Sequence, residues 1–442
     1  MSLTETENMT SAPPCPTLST AALRSAAMAA ALVGVLALPL AGVQLIDVGG
    51  RPGLELRPLW VVLPMVAAFA LRFALIRGRV FERPGMALPL HRNPLAGRIP
   101  AGALLALAAV LAILFPLSPL GGRYEIDLAS TFLTYVMLGW GLNIVVGMAG
   151  LLDLGYVAFY AAGAYTFAIL NRDFGLGFWQ ALPLCVMVAT FLGVVLGFPV
   201  LRLRGDYLAI VTLGFGEIIR LFLVNAAPVT GGPNGITGIA RPTFFGYEVA
   251  ARAPDGGGTL ADLTGLAFAP THRVIWIYYI ALLFAAVVGI VTWRLRNMAI
   301  GRSWEALRED ELAVAAMGIN PTTAKLQAFA IGAGVGGLAG CFFAGRQGFI
   351  SPESFVFMES AVLLAIVVLG GLGSHLGVVL AAAFLVFMPE IARSFAEYRM
   401  LFFGLAMVGV MVLRPGGLIS RRRPSILAPQ GAGGRKTEGA AR

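Results

Sequence analysis

Lysine is almost missing from this chain: Lys325 and Lys436 are the only two in 442 residues. Charged residues of all kinds make up 12%. So thin a polar complement cannot clothe a water-soluble domain. The three cysteines, Cys15, Cys185 and Cys341, are scattered, and two lie in apolar runs. Buried thiols are expected of them, and neither a disulfide framework nor a metal site. The three histidines, His91, His272 and His375, show no ligand spacing. No phosphate-binding loop is present, because the one candidate, GGRKT, has Arg435 where the motif needs its second glycine. No HExxH zinc motif and no serine elbow with partners appears. The chain is therefore not expected to be an enzyme, to bind a metal or cofactor, or to hydrolyse a nucleotide itself. If it pumps, another subunit supplies the energy. Acids inside its apolar runs are too few for a proton relay, which argues against a secondary transporter.

What the chain has instead is apolar length. Hydrophobic residues make up 58%, and the mean hydropathy is +0.82. The fold class is all-α: a polytopic helical membrane protein with about 10–12 membrane-embedded helices. The net charge of +9 rests on arginine and marks the cytoplasmic side of a membrane, not nucleic acid. The first apolar run, Ser25–Leu45, follows a polar tail over residues 1–20 that is expected to be disordered. Its length and the acids ahead of it, Glu5 and Glu7, favour an uncleaved span over a signal peptide. The next runs are Leu59–Ile76, Ile99–Leu120, Leu128–Met148, Leu154–Leu170, Phe178–Leu201, Tyr207–Ala226 and Val274–Trp293. After them come Leu326–Ala344, Ser360–Gly370, Leu376–Met388 and Met400–Leu413. The last three are short, with a glycine break at Gly370–Ser374.

Orientation follows from arginine. With the N-terminus inside, the inner segments are Arg77–Arg98, Arg202–Asp206, Arg294–Arg308 and Arg414–Arg423, which together hold fifteen arginines. The count works if Ser360–Gly370 and Leu376–Met388 are two crossings; the alternative is a re-entrant element. Both termini are then cytoplasmic. The longest outer loop, Pro228–Arg273, opens with TGGPNGITGI, whose glycines, Pro233 and Asn234 set turns. Its Ala253–Gly258 tract is expected to be mobile. Four segments result: the tail 1–20, an N-terminal pair of spans with a basic loop over 21–98, the main transmembrane domain 99–415, and a basic disordered tail 416–442.

One stretch breaks the apolar pattern. In Arg302–Glu311, six of ten residues carry charge: Arg302, Glu305, Arg308, Glu309, Asp310 and Glu311. A short cytoplasmic helix is expected over Ser303–Gly318. Ser303 caps its first turn, Glu305 sits near the N-terminal dipole, and Gly318 takes the left-handed position after its end. Asn320 and Pro321 then start the next helix. A solvated loop helix is the plain reading of such a charge run; a capped surface helix is also what a partner could grip.

Glycine and polar residues mark helix contacts. Gly332, Gly336 and Gly340 recur every fourth residue, and Gly373 and Gly377 do the same across the break, which suits close backbone packing in lipid. Glu217 and Arg220, at i and i+3, can pair on one helical face, packed in the bundle interior or lining a pathway. Asn143, Tyr156 and Tyr165 read as bundle glue or pathway residues, and Asp153 as a turn residue.

Four segments resemble the LivM-type permease family of branched-chain amino-acid ABC importers. They are MLGWGLNIVVGMAGLLDLGYVAFYAAGAY, GFPVLRLRGDYLAIVTLGFGEIIRLFLVNAAPVTGGPNGITGI, GRSWEALREDELAVAAMGINPTTAKLQAFAIGAGVGGLAG and RQGFISPESFVFMESAVLLAIVVLGGLGS. They cover the chain from about Leu128 to Pro415. Many family members carry Ser and His or Gln where this chain has Asp153 and Tyr156. The resemblance implies a bacterial inner-membrane subunit that pairs with a homologous permease subunit. Two cytoplasmic ATPase subunits and a periplasmic amino-acid-binding protein complete the importer. It also implies that Ser303, Glu305, Ala306, Arg308, Glu309 and Gly318 belong to the segment coupling permease to ATPase. Related permeases for urea, short amides or sugars, and more distantly secondary transporters, share the broader features.

Overall fold

The computed structural model describes residues 43–48, 51–56, 109–118, 122–200, 206–244, 247, 270–391 and 404. The chain divides into two compact units, residues 1–100 with 392–409, and residues 101–391 with 410–442. In the first, β1 (Val43–Val48) and β2 (Arg51–Leu56) pair antiparallel, with Val43 opposite Leu56 and Val48 opposite Arg51. The last residues of the expected Ser25–Leu45 span, Val43–Leu45, thus lie in a strand, a local exception in a helical chain. The apolar, partly β-branched set Val43, Leu45, Ile46 and Val48 next to a Gly-Gly pair suits a hairpin better than a helix end. The remainder of that span, Leu59–Ile76, most of Ile99–Leu120, Met400–Leu413 and both tails lie outside the described residues.

The second unit is helical. Its first long helix, α1 (Arg123–Leu142), runs on into a π-helical turn, Asn143–Met148. Ser130 and Thr134 donate to carbonyls one turn back, Ile126 and Ser130, both at 2.9 Å. Buried hydroxyls inside an apolar helix are satisfied that way. Then come α2 (Val157–Phe174), which ends on left-handed Gly175, α3 (Phe178–Val200) and α4 (Asp206–Asn225). Left-handed Gly231, Gly232 and Gly235 shape the following turns, as the TGGPNG motif predicts. They deliver β3 (Ile236–Thr237) to β4 (Phe349–Ile350) in a two-residue antiparallel ladder.

A 28-residue helix, α5 (Pro270–Asn297), leads to the charged stretch, which forms α6 (Ala299–Glu309) and α7 (Glu311–Ala316). The chain continues through α8 (Pro321–Gln347), α9 (Phe357–Gly370) and α10 (His375–Ile391). Among the described residues, six helices are long and apolar enough to cross a bilayer: α1 with its π turn, α3, α4, α5, α8, and α9 with the turn before it. α2 and the shorter apolar α10 pack with them.

α8 is the centre. It lies against α1, α2 and α3, which its glycines permit. A methyl group added at Gly332 would stand 2.6 Å from Val145 Cγ2, and one at Gly336 3.2 Å from Phe159 Cβ. At Gly340 it would run into the Tyr160 carbonyl and stand 2.8 Å from Ala164 N. The stripe at four-residue spacing therefore faces α1 and α2. Gly334 and Gly337 face Thr190 and Ala189 of α3 instead. Cys185 and Cys341 are buried and free.

α9 and α10 fold back on each other, and Gly139 of α1 faces both Ile366 and Val378. Across the break, Gly377 packs closely against Gly370. Gly373 sits in the turn itself at φ 80°.

Candidate functional site

The charged stretch is not one helix. It breaks at Asp310, whose extended backbone (φ −156°, ψ 113°) ends α6 and starts α7. The Asp310 carboxylate accepts from the Leu312 and Ala313 N–H groups at 2.8 and 3.1 Å, so it is the cap. Ser303 is not. α6 begins four residues earlier at Ala299, and the Ser303 hydroxyl donates to the Ile300 carbonyl at 2.7 Å. Glu305 accordingly lies beyond the first turn. The far end matches expectation: Gly318 is left-handed at φ 83°, with Gly318 N–H donating to Ala315 O and Ile319 N–H to Val314 O. The Asn320 side chain accepts from the Thr322 and Thr323 N–H groups, with Pro321 at the first helical position.

One face of this pair of helices anchors them. Trp304 is fully buried, and its indole N–H donates to the Ala324 carbonyl at 2.9 Å. Leu307 and Val314 are buried as well. Lys325, buried at the start of α8, reaches the Glu311 carboxylate at 2.7 Å. The other face is open, and much of it is apolar: Leu312 and Met317 are 73% and 81% exposed, with Ala306, Ala313, Ala315, Ala316 and Ile319 also exposed. Glu309 joins them. Exposed apolar groups on a rigid, doubly capped element mark an interaction surface.

Polar contacts tie α6 to two breaks in the bundle. Arg308 Nη1 donates to the Gly147 carbonyl in the π turn at 2.5 Å. Arg296, at the end of α5, donates to the Gly373 carbonyl at 2.9 Å and pairs with Glu305 at 3.1 Å. The Gly373 N–H donates to Asn143 Oδ1 at 2.8 Å. α6, the end of α1 and the α9–α10 turn are thus held in one network (Arg308–Gly147, Glu305–Arg296–Gly373–Asn143). Sequence reading singled out Glu305, Arg308, Asn143 and, for packing, Gly373, but missed Arg296. Its signal is position: it is the last arginine before the charged stretch.

The remaining singled-out residues do not gather. Tyr156 is buried and donates to the Gly332 carbonyl at 2.8 Å. Tyr165 is buried 5.9 Å from the Phe355 ring, centroid to centroid. Asp153 is buried and accepts from Gly155 N–H at 2.9 Å, the expected turn contact. Arg220 forks onto Glu217 with Nε at 2.9 and 3.0 Å. That pair forms as its spacing predicts, yet it is not enclosed by this chain: the two side chains are 27% and 40% exposed.

The comparisons with known proteins agree with this architecture. The family model described as "Branched-chain amino acid transport system / permease component" matches residues 124–411. The high-affinity branched-chain amino acid transport system permease protein LivM of Escherichia coli K12 is 53% identical over 324 residues, 73% of this chain and 76% of that one. A probable branched-chain amino acid transport permease of Methanocaldococcus jannaschii is 25% identical, covering 66% of this chain and 87% of its own. The autoinducer 2 import permease LsrC of Salmonella paratyphi B is 26% identical over 52% of this chain. No solved structure matches. With the family model spanning well over half of its length, this multi-pass membrane chain belongs to the branched-chain amino-acid transport permease family.

Proposed function

We infer that this chain carries branched-chain amino acids across a bacterial inner membrane as one permease subunit of an ATP-driven importer. The observation that carries this reading is the 53% identity, over most of both chains, to a branched-chain amino-acid permease. A second, homologous membrane subunit pairs with it and covers the open face of α4, where Glu217 and Arg220 would otherwise meet lipid at a high cost. Two cytoplasmic ATPase subunits grip the open face of α6–α7, and a periplasmic binding protein delivers leucine, isoleucine or valine to the opposite end. Both termini lie on the ATPase side.

The mechanism follows from the network around α6. Closure of the ATPase pair pushes α6. Because Arg308 holds Gly147 and the Glu305–Arg296 pair holds Gly373, the push is passed to the end of α1 and to the α9–α10 turn together. α5 and α8 enter and leave the same segment. The glycine faces of α8 let it pivot against α1 and α2 with little side-chain obstruction, and access alternates between the two ends.

The test is uptake of labelled leucine, urea and ribose in a strain deleted for this subunit and complemented with it. Restored leucine uptake alone is expected. Restored urea or ribose uptake would reassign the cargo. In the same assay Ala306→Lys, which alters only the exposed face of α6, should abolish uptake while the subunit stays in the membrane with its partners. Normal transport by that variant would remove the coupling role.

A further inference from the structure

A cavity of about 240 Å³ lies between α1, α2, α8 and α9, at the end of α8 away from the coupling segment. Its size is just below the ~300–1,000 Å³ typical of drug-sized ligands, which suits a small solute. Its walls are chemically divided. Arg346 supplies a guanidinium and Glu359 a carboxylate, while Tyr160, Phe343 and Leu363 supply an apolar side. Tyr135 completes it with a phenol that donates to Glu359 at 2.9 Å.

Each charge already has a partner, so cargo would enter by exchange. Arg346 is 9% exposed and points Nε and Nη2 at Asp127, at 3.2 and 3.0 Å. Its Nη1 takes no part in that fork. Asp127 is itself 58% exposed, so it can give way to a competing carboxylate. Glu359 lies in the first turn of α9, where the helix dipole favours an acid. The dipole accounts for the acid and not for the cavity beside it. Arg346 also lines a second cavity of about 430 Å³ with Arg123, Arg241, Arg273 and Asp127, so that cavity carries an excess of positive charge. Ionisable groups of both signs at the ends of membrane-crossing helices, around one small cavity, suit a solute path.

We propose that this cavity is a transit site for a zwitterionic amino acid with an apolar side chain. Arg346 takes the carboxylate, for which its planar fork is suited. Glu359 takes the ammonium, assisted by the ring face of Tyr160. Leu363, Phe343 and Tyr160 hold the branched side chain. The basic second cavity draws the carboxylate end in first and disfavours cationic amino acids. The site rests on the permease reading above and assigns the residues that touch cargo, which that reading leaves open.

The test uses the whole importer reconstituted in vesicles with saturating, leucine-loaded binding protein. Glu359→Gln should lower leucine uptake at least tenfold while binding-protein-stimulated ATP hydrolysis persists, and Glu359→Asp should recover part of the uptake. Leu363→Ala should raise phenylalanine uptake relative to leucine. Equal loss of uptake and ATP hydrolysis in Glu359→Gln would make Glu359 a structural residue and overturn the site. So would wild-type rate and selectivity in both variants. If Glu359→Gln does not assemble, the selectivity of Leu363→Ala decides alone. A wild-type importer that takes up no leucine would instead overturn the permease reading, so the two failures are told apart.

Discussion

α8 and α4 are both long, apolar, glycine-bearing helices, and the chain treats them in opposite ways. The most apolar window of α8 is 78% buried, and that of α4 is 28% buried. α8 finds its neighbours within the chain, through glycines that bring backbone against backbone. α4 turns Ile210, Ile218 and Phe222 outward, each at least 60% exposed, and carries its ion pair half-open. The difference teaches where this chain ends as a folding unit and begins as a subunit. Lipid can cover isoleucine and phenylalanine. It covers a glutamate–arginine pair only at a cost, so the α4 face is unfinished in a way the α8 faces are not.

The largest effect should come from adding the same bulk to both helices. At Gly340 of α8 a side chain meets the Tyr160 carbonyl and Ala164 N, which are backbone and cannot move aside. At Gly214 of α4 an added Cβ meets nothing within 4 Å. Overpacking a tight core costs about 1–3 kcal/mol and sometimes more. Gly340→Leu should leave little folded subunit after detergent extraction, while Gly214→Leu should match the parent in yield and melting temperature. Equal loss in both would mean that α4 has neighbours within this chain after all.

Much of this contrast was legible in the sequence. Run lengths placed α3, α4, α5 and α8 to within a few residues, because a bilayer demands apolar stretches near a fixed length. The glycine spacing named the α8 stripe, and Gly318, Asn320 and Pro321 named the boundary at its start. Sequence could not show that α6 starts at Ala299, because the capping signal read at Ser303 is local and Trp304 overrides it. Burying that indole against Ala324 sets where the helix lies. Nor could it show the network around Gly373, since a glycine carbonyl leaves no trace in composition. The Arg346–Glu359 cavity was illegible for a similar reason: its charges come from α8 and α9, and its phenol from residue 135 of α1.

A second, smaller effect sharpens the reading of α4. Glu217→Gln leaves the Arg220 guanidinium without its carboxylate, and Glu217→Gln with Arg220→Gln removes both charges. If α4 meets a partner subunit, the single change should weaken the assembled pair of membrane subunits more than the double change does, because an unpaired charge is worse than none. The subunit purified alone should barely distinguish them, since its pair is partly open to solvent or detergent. Thermal unfolding of the assembled and separate forms checks this. A single variant no worse than the double in the assembled form would place the α4 face against water, not protein.

The smallest effect lies at the boundary where the charged segment enters α8. The Asn320 side chain satisfies two N–H groups that the helix itself cannot, those of Thr322 and Thr323, at 3.0 and 3.4 Å. Removing such a cap costs about 1 kcal/mol. Ser303, which sequence alone would have given the same role on α6, donates back into its own helix and satisfies no end group. Asn320→Ala should therefore lower the stability of the purified subunit by about 1 kcal/mol, and Ser303→Ala should change it by much less. Because α8 is the helix that the chain buries by itself, the Asn320 loss should appear in the isolated subunit without any partner. Denaturant unfolding of the two variants side by side measures both values. A larger loss at Ser303 than at Asn320 would restore the helix start at Ser303 and break the account of α6 as a helix that begins at Ala299.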